Sequence, residues 1–228
     1  VLFTLPDYEQ EKLRNLIKEN ENSQNDLWDA NATKLLTVLS QETDMFVCAE
    51  DLGAVPPCVP SVLHKLNILS LRIERWARNW NAPYSPYYEM GEYPRMSVCA
   101  TSCHDSSTLR GLWYEKDFDR DLYWSHAHLP GKAPEEITPS VVRQILTHVY
   151  SANSLFCILP LQDYLALSAS LSKGSPESER VNVPGTVGGT NWCYRMPCSV
   201  DELMDYTSLS SDIRMLVDVR KRRPMWKI

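Results

Sequence analysis

One short segment carries most of the information about how this chain folds: Asp44-Met45-Phe46-Val47-Cys48-Ala49-Glu50-Asp51-Leu52-Gly53. An apolar run ends there abruptly in two carboxylates and a glycine. Buried strands of α/β proteins have this pattern, because the apolar run crosses the core and polar residues follow where the strand reaches the open edge of the sheet. We therefore predict a strand near residues 45–49 that carries an acid at its carboxyl end.

Three further apolar segments predict strands near residues 69–75, 97–101 and 155–159. Helical patterns separate the strands, and polar residues gather where a strand gives way to a loop. Repeated βα units of this kind form parallel sheets covered by helices. A complete (β/α) barrel has eight strands in about 250 residues, so four strands predict half of one. The predicted fold class is therefore α/β, with residues 1–228 as one portion of a barrel that holds about four βα units.

Helices are predicted from the spacing of apolar residues and from residues that favour helix ends. The first runs from Glu9 to Asn20, and we expect it to pack by its apolar face. A second has Asn31 or Thr33 as its cap. The later helices are predicted to begin at Pro56 and Pro57, at Ser106 or Ser107, at Thr138, and at the capping box of Ser199 and Glu202, with the last helix ending in Arg220 to Arg223.

The charge balance limits the partners of the protein. It has 29 acidic and 23 basic side chains, a net charge of -6, and 43% hydrophobic residues. This balance argues against nucleic acid or an anionic membrane as the main partner. No apolar segment approaches the roughly 20 residues that span a bilayer. We therefore expect no nucleic acid and no membrane among the partners.

The cysteines indicate a reducing compartment. There are seven, an odd number, and most lie inside apolar runs. Buried thiols fit this pattern better than a disulfide framework does, which predicts a cytoplasmic protein. The sequence begins at Val1 without an initiator methionine, and we expect it to be a piece of a longer chain.

Several motifs together resemble one enzyme family. They are Ala49-Glu50-Asp51-Leu52-Gly53, Val55-Pro56-Pro57, Tyr93-Pro94-Arg95, Ser102-Cys103-His104-Asp105, Leu161-Gln162-Asp163, Asn182-Val183-Pro184-Gly185 and Asn191-Trp192. In this order they resemble the C-terminal part of the 4-α-glucanotransferases of glycoside hydrolase family 77, the amylomaltases and disproportionating enzymes. The resemblance runs from about Asp26 onward and is closest to the plant cytosolic disproportionating-enzyme type. It implies that residues 1–228 are the C-terminal half of a catalytic (β/α)8 TIM-type barrel.

The resemblance also implies a reaction and roles for three residues. Retaining transfer of α-1,4-glucosyl units needs a carboxylate nucleophile and a general acid about 5 Å apart, plus stabilisation of an oxocarbenium-like state. By resemblance, Glu50 is the general acid/base, Asp105 is the transition-state stabiliser, and His104 hydrogen-bonds sugar hydroxyls. The implied substrates are α-1,4-glucans or maltose as donors and glucose or a heteroglycan as acceptor, and no cofactor is implied.

The family nucleophile is an aspartate in an Arg-x-Asp-His type motif, which this sequence lacks. We therefore expect the isolated chain to be inactive, and the missing N-terminal half of the barrel to be its partner. The alternative function is a non-catalytic glucan-binding or scaffolding fragment. Ser106 and Ser102-Cys103 depart from many amylomaltases but match the plant cytosolic type. A half barrel exposes strand edges and an apolar interior, so alone it is expected to dimerise, to aggregate or to rearrange.

Other candidate residues have a structural alternative. Asn182, Pro184 and Trp192 lie in a loop that the family places over the acceptor side of the glucan, although turn formation and packing of the indole also explain them. The aromatic residues Trp76, Trp80, Tyr84, Tyr87 and Tyr88 either stack on glucose rings or simply pack. Asp51 is expected to bond backbone in the turn before Gly53, and Asp163 is expected to be structural.

The cysteine and histidine spacings only approximate a zinc site. Cys99 and Cys103 with His104, the pair Cys193 and Cys198, and His126-x-His128 are the candidates. His104 already has a role by resemblance, so we predict no metal site. The Arg220 to Arg223 run is interpreted as a solvated helix end.

Overall fold

The computed structural model describes residues 4–221. The chain divides into two compact units, Val1–Leu71 and Arg72–Ile228. Within the described residues, none of the helices combines the length and apolar character needed to cross a membrane.

The first unit contains helices α1, Asp7–Gln41, and α2, Val59–Lys65. The two helices predicted before residue 41 are one continuous helix of 35 residues. Because no proline or glycine interrupts it, Asn31 and Thr33 lie inside the helix rather than at a cap. The predicted one-sided packing is wrong as well, since none of the residues of α1 is buried. α1 and α2 flank an apolar cavity of about 420 Å³.

The strand predicted near residues 45–49 is reduced to one parallel bridge, between Cys48 and Leu69. The N–H of Ala49 donates to the carbonyl of Leu69 at 2.8 Å, and the N–H of Leu69 donates to the carbonyl of Val47 at 2.9 Å. Phe46 is 64% exposed. Two backbone hydrogen bonds form a bridge but not a strand ladder. The predicted parallel pairing is therefore correct, whereas the predicted length of the strand is not.

The sheet has three strands in the order β1-β2-β3, namely Ser70–Ile73, Ser97–Ala100 and Phe156–Cys157. β2 and β3 are parallel, with Val98 opposite Phe156 and Cys99 opposite Cys157. β1 is shorter than predicted because Glu74–Trp76 turns into a 3-10 helix. β2 confirms its prediction and β3 keeps two residues of the predicted five. The α/β class is therefore confirmed.

In the described part of the second unit, six α-helices follow in chain order: α3 Leu109–Trp113, α4 Arg120–His126, α5 Pro139–Tyr150, α6 Leu161–Leu165, α7 Val200–Met204 and α8 Thr207–Lys221. The cap of α3 is Thr108, whose side chain accepts from the N–H of Gly111, and not Ser106 or Ser107. The predicted cap of α5, Thr138, is confirmed. The capping box of Ser199 and Glu202 is confirmed too, but it starts the short α7, and α8 is a separate helix. The predicted Arg222 and Arg223 lie outside the described residues.

The core of the second unit is built around α5. Its inward face consists of Val142, Ile145, Leu146 and Val149, which are completely buried. On its other side α5 packs against α8, where Arg143 contacts Asp212 through two bonds of 3.2 and 2.5 Å. Trp113, Tyr123 and Trp124 add edge-to-face ring contacts. This core supports the loops that follow β2 and β3.

Candidate active site

The polar loop after β2 presents Asp105 and His104 to solvent. Their side chains are 44% and 47% exposed, and His104 Nε2 lies 3.4 Å from Asp105 Oδ1. Asn182 Nδ2 donates to the same oxygen at 2.6 Å. One carboxylate oxygen therefore has an amide donor and an imidazole beside it. This arrangement orients the carboxylate while leaving it accessible to a ligand.

The loop that carries Asn182 is held against the β2 loop by its backbone. The N–H of Asn182 donates to the carbonyl of His104 at 3.1 Å, and Arg180 Nη2 donates to the carbonyl of Asp105 at 3.4 Å. The ring of Trp192 lies 5.2 Å from that of His104, and the indole is 66% exposed. Three of the predicted binding residues, His104, Asn182 and Trp192, therefore meet around Asp105. Sequence reasoning missed Arg180.

Pro184 lies two residues beyond Asn182 in an exposed turn of the same loop. Gly185 follows it with φ of 77°, a backbone conformation that glycine adopts without strain. The N–H of Thr186 closes the turn on the carbonyl of Val183 at 3.3 Å. The structure thus supports turn formation for Pro184, and a contact of its ring with substrate stays a prediction.

Asp105 lines an open cleft of about 860 Å³ in the second unit. Four of the predicted aromatic residues line it too: Trp76, Trp80, Tyr84 and Tyr87. The guanidinium of Arg78 lies 5.1 Å from the Trp80 ring centre and 4.8 Å from that of Tyr87. Burial raises the pKa of Tyr87 to about 12, so it remains a neutral phenol. The cleft therefore combines aromatic side chains with charged groups.

Beneath the β2 loop, Asp163 is a structural carboxylate, as predicted. It is fully buried, and it accepts from Thr101 Oγ1 at 2.5 Å and from the N–H of Leu109 at 2.9 Å. Burial raises the pKa of Asp163, while these hydrogen bonds oppose the rise. Arg75, also buried, donates to Ser107 Oγ at 2.8 Å and to the Ser107 carbonyl at 2.7 Å. Asp163 and Arg75 thus brace both ends of the loop that contains Asp105.

Glu50 belongs to the first unit, where it is exposed directly after the Cys48 bridge. Its neighbour Asp51 accepts the N–H of Leu71 at 2.6 Å. Asp51 therefore accepts a backbone hydrogen bond from the next strand, whereas its predicted bond in the turn before Gly53 stays a prediction. This bond anchors the backbone beside Glu50 and leaves the Glu50 side chain at the surface.

A second cluster of ionisable groups lies in the same unit as the cleft. Among residues 4–221, Glu74, His126 and His148 are the group of three whose donor atoms lie within 4.8 Å of one another. Burial raises the pKa of Glu74 to about 7 and lowers the pKa of His126. The sequence suggested His126 only together with His128, and it gave no signal for Glu74 and His148 because these residues are distant from His126 along the chain. The candidate cysteines do not join this group.

Comparison with known proteins gives the context of these residues. Residues 3–201 match glycoside hydrolase family 77, described as 4-alpha-glucanotransferase. The 4-alpha-glucanotransferase DPE2 of Oryza sativa subsp. japonica is 37% identical over 198 residues, which are 85% of this chain and 20% of that protein. A 4-alpha-glucanotransferase of Chlamydia trachomatis serovar D is 33% identical over 189 residues, 82% of this chain and 35% of that protein. The chain thus spans a fifth to about a third of the length of these relatives.

Two solved structures have a similar fold. An amylomaltase from Streptococcus agalactiae in complex with acarbose superposes with a TM-score of 0.62 at 16% identity, covering 85% of this chain and 35% of that one. The amylomaltase from Corynebacterium glutamicum has a TM-score of 0.55 at 18% identity, covering 78% and 29%. The family resemblance predicted from the motifs is confirmed: this chain belongs to glycoside hydrolase family 77, the family described as 4-alpha-glucanotransferase.

Proposed function

We propose that this chain supplies one half of the active site of a retaining 4-α-glucanotransferase, as the C-terminal half of its (β/α)8 barrel. The observation that carries the proposal is the cluster of Asp105, His104 and Asn182 beside the aromatic cleft. The parallel β2–β3 pair and the parallel bridge at Cys48 agree with a series of βα units. Family membership and the fold of the amylomaltases support the reaction class.

Glu50 is the proposed general acid/base. In glycosyl transfer it protonates the glycosidic oxygen of the leaving sugar, and it then takes the proton from the acceptor hydroxyl that attacks the intermediate. Its exposed position immediately after a parallel strand contact supports this role, because barrel active sites lie at the carboxyl ends of the strands. The anchored neighbour Asp51 keeps the backbone fixed while Glu50 exchanges protons.

Asp105 is the proposed stabiliser of the oxocarbenium-like transition state. Asn182 orients its carboxylate through Oδ1, so the negative charge is fixed in place before the reaction and needs no reorganisation. His104, beside the same oxygen, is placed to donate to sugar hydroxyls. Trp192 and Pro184 of the adjoining loop are proposed to contact the acceptor side of the glucan.

The proposed ligands are α-1,4-glucans and maltose as donors, with glucose or a heteroglycan as acceptor. The exposed rings of Trp80 and Tyr84 in the cleft support this, since the C–H faces of sugars pack on aromatic surfaces. The similar Streptococcus agalactiae amylomaltase was solved with acarbose. Free thiols at all seven cysteines fit a reducing cytoplasm as the location.

For the isolated chain, a second function is favoured by one specific observation. The sequence contains no Arg-x-Asp-His type motif, so no covalent glycosyl intermediate forms on a family nucleophile within these residues. Alone, the chain is therefore proposed to bind glucans without turning them over. Activity requires the half of the barrel that carries the nucleophile.

The test is release of glucose from maltotriose. We expect none from the purified chain, and turnover from a chimera that joins the upstream region of the rice relative to this chain. In the active chimera, Glu50→Gln is expected to lower kcat by about 10²–10⁴, the typical contribution of a general acid. Glu42→Gln removes an exposed carboxylate of the same unit and is the matched control. Turnover by the purified chain, or an active Glu50→Gln chimera, would contradict the proposal.

A further inference from the structure

Three side chains that the proposed reaction does not use converge beside the cleft. Glu74 follows β1, His126 ends α4, and His148 lies in the last turn of α5. His126 stacks on Tyr87 with ring centres 4.7 Å apart and planes inclined by 19°, and Tyr87 lines the cleft. The cluster therefore adjoins the wall of the glucan site without forming part of it.

The spacing of the two imidazoles suits a shared ligand better than it suits a hydrogen bond. His126 Nε2 and His148 Nε2 lie 3.4 Å apart, and the rings are perpendicular at 89°. Hydrogen bonds of nitrogen donors are usually about 2.7–3.2 Å long. Two histidine nitrogens that each lie about 2.0–2.1 Å from a tetrahedral zinc ion are separated by about 3.3–3.4 Å. The observed separation matches the edge of such a tetrahedron.

Glu74 supplies a carboxylate oxygen that is buried and has no hydrogen-bond partner. The side chain is 1% exposed, and Oε1 lies 3.9 Å from His126 Nε2. The other oxygen, Oε2, accepts the hydroxyl of Tyr123 at 2.6 Å. Burying a polar atom without a partner is costly. The Tyr123 bond fixes the carboxylate in the way that outer residues orient metal ligands, and it leaves Oε1 available.

We propose that Glu74, His126 and His148 bind a divalent transition-metal ion of the zinc type. Two imidazoles and one carboxylate are a donor set that zinc uses in proteins, with the fourth position left for water. Magnesium and calcium prefer oxygen ligands, so this nitrogen-rich set selects against them. The Oε1–His126 Nε2 separation of 3.9 Å exceeds the edge of a zinc tetrahedron by roughly 0.5 Å, and all three donor atoms lie within 4.8 Å of one another.

The bound ion has a positioning role. It joins the end of β1 to the ends of α4 and α5, and it fixes the ring of His126 on which Tyr87 stacks. The guanidinium of Arg78 also lies over the Tyr87 ring, 4.8 Å from its centre. Metal binding is therefore expected to raise the thermal stability of the chain and to order this wall of the cleft, without touching the proposed catalytic carboxylates.

Equilibrium dialysis with zinc chloride tests the proposal, on folded protein whose accessible cysteines have been alkylated; Cys99 is buried in the core and stays unmodified. We expect one zinc ion per chain and an increase in Tm on zinc addition. His126→Ala, His148→Ala and Glu74→Gln should each weaken binding at least tenfold. Glu74→Gln retains an acceptor for Tyr123, so it serves where a histidine variant unfolds. His64→Ala removes an exposed histidine of the first unit and should bind as the wild type does.

Cobalt(II) gives a second readout, because its visible absorption reports a tetrahedral nitrogen and oxygen environment. The proposal predicts this spectrum for the wild type and for His64→Ala, and its loss in Glu74→Gln. Zinc binding that is unchanged in Glu74→Gln and His148→Ala would overturn the proposal. Absence of binding to the folded wild type, or binding that disappears only on alkylation of the cysteines, would overturn it equally.

Discussion

Two aspartates show how the environment decides what a carboxylate does. Asp105 is 44% exposed and is oriented by Asn182, so its charge is available to a ligand. Asp163 is fully buried and accepts hydrogen bonds from Thr101 and Leu109, so it is not accessible to a ligand. Both follow strands of the same sheet. The difference between the two lies in the number of internal donors and in access to the cleft.

Replacing Asp163 by alanine is expected to lower the free energy of unfolding by about 3–5 kcal/mol, because removing one partner from a buried charged network leaves the others uncompensated. Thr101 and the N–H of Leu109 would lose their acceptor, and the buried Arg75 would lose a nearby carboxylate. Denaturant unfolding measures the loss. Asp117→Ala, at an exposed position, is the control and should change stability by less than about 0.5 kcal/mol. Equal effects of the two variants would refute the structural role.

Asp163 also predicts a dependence of stability on pH. Burial raises its pKa above 3.8 in the folded state, so the folded chain holds this proton more tightly than the unfolded chain. The contribution to stability is then fully present below pH 3.8 and is lost as the pH rises through the folded pKa. The unfolding free energy of the wild type should therefore fall relative to that of Asp163→Asn above pH 3.8. A constant difference between pH 4 and 7 would contradict this.

Among the elements, α5 is the one whose sequence and structure agree throughout. Its cap Thr138 was predicted and is observed, since helix capping is a local property of the sequence. The α1 boundary was wrong because propensity alone does not reveal that a polar stretch continues a helix. The strand near Cys48 was overestimated, because pairing depends on a neighbouring segment that local sequence does not reveal.

The helix α5 is expected to be the most sensitive element to truncation of side chains. Leu146→Ala should cost about 2–5 kcal/mol of unfolding free energy, since the residue is completely buried and leaves a cavity. Gln144→Ala changes the half-buried neighbour on the same helix and should cost less than about 0.5 kcal/mol. Thermal or denaturant unfolding distinguishes them, and a small effect of Leu146→Ala would place the core elsewhere.

The candidate site was predictable only in part. Asp105 and His104 were found because they follow a strand and match a family motif. Asn182 entered by resemblance alone, and its bond to Asp105 required the structure. Glu74 and His148 could not be paired from sequence, because tertiary folding brings together residues on different elements. A sequence indicates residues whose role depends on their neighbours in the chain, but it does not indicate which distant residues they contact in the folded protein.

The molecule as a whole exposes apolar side chains near its strands. Phe46, beside the Cys48 bridge, is 64% exposed, and Ile158, after β3, is 61% exposed. In the proposed half barrel, Ile158 lies at a strand end whose covering neighbours would come from the rest of the barrel. The isolated chain is therefore expected to associate as its concentration rises. Sedimentation velocity checks this: Ile158→Lys should reduce association, whereas a compact monomer at every concentration would contradict it.

This chain is proposed to hold the sugar-binding half of a glucanotransferase site. Calorimetric titration of the purified chain with maltoheptaose tests the proposal. We expect saturable binding without glucose release, weakened about tenfold by Trp80→Ala, since a lost aromatic stacking contact costs about 1 kcal/mol or more. Tyr8→Ala, at a 70% exposed position of α1, should bind as the wild type does. Absence of binding, or equal binding by Trp80→Ala, would contradict the account.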